Sequence, residues 1–198
     1  MRGRFVVENR PGAAATIGAS YVARAARDGY TLLISAPEMS IHPSMRSKLG
    51  YDPLKDFALI SQLTSGQFML ASHPSVPIKT VKELIAYAKA RPGQLNYGSS
   101  GTGGINHLSG QLLQLTAGFR WVHVPFKGGA PALTALMAGE IDLAFDPMIT
   151  TLQQLNSGRI RPLAVSTQKR APQLPHLPTL TESGVKGYDA TNWGGILV

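Results

Sequence analysis

The sequence predicts an α/β fold built on a largely parallel sheet. Three observations carry that expectation. From Thr80 onward, short apolar runs of strand length alternate with apolar stripes of helical period. Glycine-rich stretches stand between a strand and a helix twice, at Gly98 to Gly104 and at Gly128-Gly129. Helix-closing glycines recur at Gly118, Gly139 and Gly158. Strand–helix alternation implies right-handed crossovers, and these gather the loops that follow the strands along one edge, where ligands bind in such sheets.

In order along the chain, Phe5 to Asn9 is a strand-like run stopped by Arg10-Pro11-Gly12. Ile17, Tyr21, Val22 and Ala25 form a helical stripe that Asp28-Gly29 closes, and Tyr30 to Ser35 is expected as a buried strand. Pro37, Pro43 and Pro53 divide the next stretch into turns and at most a short helix. Phe57 to Leu63 and Phe68 to Ala71 are expected as two strands, the second ending at His73-Pro74. Thr80-Val81-Lys82-Glu83 is a capping box, opening a helix with Val81, Leu84, Ile85 and Ala88 on its inner face. A strand at Leu95 to Tyr97 enters the first glycine loop, and the helix after it is expected to turn Ile105, Leu108, Leu112 and Leu115 inward. Trp121 to Val124 is the next strand; Pro131 opens a helix with Leu133, Leu136 and Met137 buried. Ile141 to Phe145 is a strand, Ile149, Leu152 and Leu155 form a helix face, and Arg161 to Ser166 is the last strand of the series.

At 198 residues the chain is long enough for one large domain or two small ones. Its apolar runs all fall short of the roughly 18 residues a membrane span needs. Met1-Arg2-Gly3-Arg4 is basic but leads into no apolar signal core, so no export signal is visible. The absence of cysteine excludes disulfides and thiolate metal sites. The net charge of +8 comes from scattered cations such as Arg24, Lys79, Lys89, Arg159 and Lys169, with no aromatic-laced basic face. Nucleic acid is therefore not expected as a partner, and the charge is better suited to steering small anions.

The stretch Tyr97 to Gly104, reading Tyr-Gly-Ser-Ser-Gly-Thr-Gly-Gly, carries the chemistry. Its glycines allow close backbone approach, the following helix contributes unpaired N–H groups and a partial positive charge, and Ser99, Ser100 and Thr102 add hydroxyls. This is a cradle for carboxylate or phosphate. Three loops are expected beside it: Phe126 to Ala130, Asp146 to Met148 and Ser166 to Gln168. A P-loop would need Lys and Ser/Thr where Gly104 and Ile105 stand, and a dinucleotide fingerprint would need glycine at Asn106. Ser100 lies outside any nucleophile-elbow pattern. A hydrolytic triad of Ser100, His107 and Asp146 can be drawn, which keeps a hydrolase or transferase open as an alternative. The histidines show no paired metal-ligand spacing. Lys127 is either a counter-charge for a carboxylate or a solvated lysine. Asp146 either caps the helix after Pro147 or meets an amine or hydroxyl of a ligand.

Several stretches together resemble the Bug family, the extracytoplasmic solute-binding receptors of tripartite tricarboxylate transporters. They are Val6 to Gly12 (Val-Val-Glu-Asn-Arg-Pro-Gly), Asp28 to Leu33, Tyr51 to Phe57, Pro92 to Tyr97 running into the glycine loop, His123 to Gly128, and Leu174 to Thr179. The resemblance implies a two-domain clamshell of the type II periplasmic binding kind. Residues 1–68 with 188–198 would form a first, incomplete domain, and residues 69–187 the second. It implies a small carboxylate as ligand, no cofactor, no enzymatic step, membrane transporter subunits as partners and a periplasmic location. Family contacts map onto Ser35 and Ala36, onto Ser99, Ser100, Gly101, Thr102 and Gly103, and onto Lys127, Gly128 and Asp146. The chain departs from the family pattern at Pro37-Glu38-Met39-Ser40, where glycine or asparagine is more usual after Ser35-Ala36. The family's opening strand and closing elements are not in this sequence, which gives it the look of a shortened form. The expectations that follow are exposed apolar surface around Phe5, Val7, Leu32 and Ile34, a homodimer joined there, and weak or absent ligand affinity. A truncated, non-binding fragment is the third reading.

Overall fold

The structure, a computed structural model, describes residues 4–198, so most of the basic opening Met1 to Arg4 lies outside the described residues. The helices are α1 (Thr16–Ala23), α2 (Glu38–Met45), α3 (Val81–Ala90), α4 (Ile105–Ala117), α5 (Gly129–Ala138) and α6 (Met148–Leu152). The strands are β1 (Leu33–Ser35), β2 (Leu59–Ser72), β3 (Asn96–Ser99), β4 (Val122–Pro125), β5 (Leu143–Pro147), β6 (Arg161–Val165) and β7 (Thr191–Leu197).

The seven strands run in the order β1-β7-β2-β5-β3-β4, with β6 also on β2. The two strands expected at Phe57 to Leu63 and Phe68 to Ala71 are one strand of 14 residues. Its first part, Leu59 to Gln67, pairs antiparallel with β7; its second part, Phe68 to Ser72, lies antiparallel between β5 and β6. β2 thus threads two sheets together. Parallel pairing is confined to β3 with β4 and β3 with β5. The sheet is therefore mixed, because β2 runs against β5 and β6 of the α/β series and against β7 as well. Strands do occur at all four expected places near Leu95, Val122, Leu143 and Leu163. The last of them, β6, meets its partner β2 antiparallel.

Two further expectations are corrected. Phe5 to Asn9 forms no strand, and Phe5, Val6 and Val7 are 77%, 85% and 85% exposed, with no strand beside them among the described residues. The expected buried strand at Tyr30 shortens to Leu33–Ser35, pairing with Leu197 to Gly195 of β7 and leaving Tyr30 exposed. The capping box also shifts. Thr80 Oγ1 accepts the Glu83 N–H as expected, but Glu83 Oε2 accepts from Lys79 N, one residue ahead of the cap.

The core of the second sheet gathers Phe68, Leu70, Leu84, Tyr97, Leu113, Phe145 and Tyr188 on one face, under α3 and α4. Ala71, Leu133, Leu136, Ile141 and Ala144 fill the other face under α5. Helix α4 is rotated from its expected setting: Asn106, Ser109, Gly110 and Leu113 face inward, while Leu112 and Leu115 are exposed. The cause is the Tyr97 ring, fully buried beneath this helix. A Cβ at Gly110 would sit 2.2 Å from Tyr97 Cε2, so a leucine-lined face has no room there. A smaller cluster of Ala19, Met39, Tyr51, Phe57 and Leu197 backs the first sheet. Around it Ile34, Leu59, Ile60 and Leu63 remain exposed.

Candidate ligand site

The glycine loop lies between β3 and α4, as the sequence predicts, but most of its donors are already engaged. Gly101 N donates to Ser99 Oγ at 3.1 Å, Gly103 N to His107 Nδ1 at 3.2 Å, and Gly104 N to Gly101 O at 3.2 Å. Ile105 N, the first N–H of α4, donates to Glu38 Oε1 at 3.1 Å. Gly101 and Gly103 hold φ of +138° and +84°, conformations that a side chain would strain. The cradle of bare N–H groups is thus closed on itself, and a carboxylate from α2 sits at its helix end.

Ser35 and Ala36 end β1 and lead through Pro37 into α2, and Ala36 O accepts the Met39 N–H. Helix α2 is laid against the glycine loop. A Cβ at Gly103 would lie 3.7 Å from Met45 Cε, 3.9 Å from Arg46 Nη2 and 4.0 Å from His42 Nε2. His42 is 1% exposed, and neither of its ring nitrogens has a hydrogen-bond partner among the described residues. Burial, followed by Arg46, lowers its pKa, with Glu38 and then the nearby Gly103 N–H acting in the opposite direction; that N–H gives its hydrogen bond to His107 Nδ1, which leaves the His42 ring without one.

The second loop is stitched to the first: Phe126 N donates to Ser99 O at 2.9 Å and Gly128 N to Ser100 O at 3.2 Å. Lys127 and Thr102 are both exposed. Asp146, at the end of β5, is 4% exposed. It does not cap α6, whose N-cap is Pro147. Its Oδ2 instead accepts from Thr150 Oγ1 at 2.5 Å and Thr151 Oγ1 at 3.3 Å. Burial pushes its pKa up to about 6, against the pull of those two hydroxyls.

The triad drawn from Ser100, His107 and Asp146 does not assemble. Ser100 donates to Asn106 Oδ1 at 2.6 Å, His107 is held by Gly103, and Asp146 by the two threonines. A contact absent from that reading joins Ser99 Oγ to His123 Nε2 at 2.6 Å. It belongs to a stack in which Trp121 lies on Tyr97 (4.5 Å), Tyr97 on His123 (5.1 Å) and His123 on His107 (4.1 Å). Burial first, then His107, lowers the His123 pKa to about 4, so both its neighbours and its setting keep it neutral. The register of β3 and β4, which pairs Tyr97 with His123, is the signal that would have revealed this cluster.

The four loops expected to converge fall into two places. A cleft of about 680 Å³ lies where the two sheets join, lined by Thr64 to Gln67, Pro147 to Ile149, Thr167 to Lys169 and Asp189. Its lining includes no residue of the glycine loop. Roomy volume and anion-binding chemistry are therefore separate, and the chemistry locates the candidate site, because an open cleft by itself recognises no group.

The model of the tripartite tricarboxylate transporter family receptor matches residues 3–198. The chain belongs to that receptor family. An Agrobacterium vitis family protein, from the TAR-I ttuE-ttuC' intergenic region, is 34% identical over 190 residues, covering 96% of this chain and 55% of its own length. The chain thus spans little more than half of that curated relative. An R. palustris protein solved with adipate superposes with a TM-score of 0.94 at 39% identity, over 98% of this chain and 65% of that one. The periplasmic binding protein BugD gives 0.92 at 36% identity, over 98% and 64%. MatC from Rhodopseudomonas palustris with bound malate gives 0.85 at 30% identity, over 94% and 64%. The fold of this chain is that of periplasmic binding proteins, as the resemblance implied, and the chain covers about two thirds of each solved relative.

Proposed function

We propose that this chain binds a small mono- or dicarboxylate as the solute receptor of a tripartite tricarboxylate-type transporter, in the periplasm and without chemical turnover. One observation carries the reading: Glu38 already places a carboxylate oxygen on the first N–H of α4. The loop and helix end accept the group that the proposal assigns to the ligand. Adipate and malate in two solved relatives give the same chemistry. Residues 1–68 with 188–198 and residues 69–187 form the two jaws of the proposal, in line with the two sheets that β2 threads together.

Within the proposed site the residues divide by availability. Thr102 and Lys127 are exposed and offer a hydroxyl and a cation. Ser35 and Ala36, at the end of β1, are assigned to the approach from the first jaw, and Gly101, Gly103 and Gly128 to close approach of the backbone. Ser99 and Ser100 have their hydroxyls engaged and act by shaping the loop. Asp146 suits a hydroxyl or amine of the ligand. A hydrolase reading is not favoured by the Ser99–His123 pair, because Ser99 is 1% exposed and its oxygen also receives the Gly101 N–H.

Calorimetric titration with malate and adipate tests the reading. Thr102→Val should weaken binding by about 1 kcal/mol, several-fold, by removing one hydrogen bond. Gly103→Val should remove it, since φ of +84° strains any side chain there, most of all a β-branched one, and the loop backbone must shift to relieve it. Equal affinity in wild type and both variants would place the site elsewhere. Turnover of an ester that Ser100→Ala abolishes would make the protein an enzyme.

The exposed apolar residues Ile34, Leu59, Ile60 and Leu63 of the first sheet, with Phe5 and Val7 also exposed, support a second copy of the chain as their cover. Light scattering should report a dimer that Leu59→Lys with Leu63→Lys dissociates. A stable wild-type monomer would refute that arrangement.

A further inference from the structure

We propose that Glu38 is a built-in competitor for the ligand carboxylate, occupying the N-terminal seat of α4 and setting which acids displace it. The proposal rests on the carboxylate reading above. Its starting point is geometric: Glu38 Oε1 accepts the Ile105 N–H at 3.1 Å across 67 residues of sequence, from the first turn of α2 to the first turn of α4. A Cβ at Gly104 would come within 3.5 Å of the same oxygen, so the carboxylate lies against the loop backbone and not merely near it.

A second observation marks the place as one that takes a ligand. Glu38 Oε2 is buried without a hydrogen-bond partner among the described residues, and so are both ring nitrogens of His42, one turn further along α2. His42 is 1% exposed and its Nε2 faces Gly103. Buried polar atoms are nearly always paired, so three orphans around one contact describe a seat only half filled by the side chain that holds it. Glu38 satisfies one N–H and leaves its own second oxygen and the imidazole unsatisfied. A ligand carboxylate that displaces Glu38 can take the Ile105 N–H, its further polar groups can meet the imidazole, and the departing Glu38 carboxylate is returned to solvent.

Two carboxylates do not share one helix end, because their charges repel at contact distance. Ligand entry therefore requires Glu38 to swing away, and the free energy of that departure is subtracted from binding. Apolar monocarboxylates gain only the seat. Acids bearing hydroxyl or second carboxylate groups gain the His42 contacts as well, so Glu38 biases the site toward polyfunctional acids.

The test compares wild type, Glu38→Ala and Glu38→Gln, with malate and acetate as probes. Without ligand, the Ile105 amide should exchange at least tenfold faster in Glu38→Ala than in wild type. Malate affinity should rise about tenfold in Glu38→Ala. Glu38→Gln, which keeps the acceptor but loses the charge, should fall between them. The preference for malate over acetate should shrink in Glu38→Ala. Malate binding that is unchanged or weaker in Glu38→Ala, beside a wild type that binds, would overturn the competitor role and leave the receptor reading standing. No binding of malate or acetate by any of the three would overturn both. Unchanged Ile105 exchange would overturn the contact from which the proposal starts.

Discussion

Gly110→Ala should destabilise the protein by roughly 3 kcal/mol, among the largest effects of any single methyl group in this fold. The added Cβ would stand 2.2 Å from Cε2 and 2.5 Å from Cζ of Tyr97. Tyr97 cannot yield easily. It is fully buried, its ring stacks on Trp121 and His123, and its hydroxyl donates to His107 O while accepting from Gln111. Helix α4 must therefore lift from β3, which also disturbs the glycine loop at its N-terminus. Gly66→Ala is the control, because no atom lies within 4 Å of its added Cβ. Urea unfolding should show a lower midpoint for Gly110→Ala and a change within about 0.5 kcal/mol for Gly66→Ala. Equal stability of the two variants would mean that α4 does not bear on Tyr97 as described.

Asp146→Asn should stabilise the ligand-free protein at pH 7.5 and lose that advantage near pH 4. Burial raises the Asp146 pKa from 3.8 to about 6, so between those values the native state binds more protons than the unfolded state. Stability from this group therefore falls as pH rises through that window, and the full penalty is present above about pH 6. At 1.36 kcal/mol per unit the penalty is on the order of 2 to 3 kcal/mol. Asparagine keeps an acceptor for Thr150 and Thr151 without the charge. His123 works in the other direction. Its pKa is lowered from 6.5 to about 4, so the unfolded state takes up the proton first and stability is lost as pH falls between those values. In wild type the two trends oppose each other across much of the same range. In Asp146→Asn the histidine trend stands alone, and thermal unfolding should show a steeper loss on acidification. A pH profile parallel to wild type would contradict the buried setting of Asp146, hydrogen-bonded to two hydroxyls.

The α/β series from Thr80 to Val165 was legible because each element is announced locally, by a cap, a glycine or a run of fixed period. The Thr80 cap, the αL glycines at Gly118 and Gly139, and the glycine loop all lie where those signals put them. The antiparallel course of β2 was not legible, since nothing local distinguishes one strand of 14 residues from two strands with a polar gap. Helix α4 misled because Leu112 and Leu115 satisfy helical period, while the space above Tyr97 decides which face turns inward. Of the candidate site, the loop itself could be read. Its closure by Glu38, the orphaned His42 and the Ser99–His123 pair could not, because these contacts join residues distant in sequence. Glu38 stands at a departure from the family pattern, and only the structure shows where its carboxylate goes.

Amide chemical-shift mapping of the labelled protein during titration with malate decides whether the glycine loop is the carboxylate seat, since it reports weak binding as readily as tight binding. Binding at the loop should give saturable shifts centred on Ser100 to Ile105, spreading to Glu38 and His42 on α2, and absent in Gly103→Val. Shifts confined to residues lining the 680 Å³ cleft, such as Gly66, Thr167 and Asn192, would contradict it.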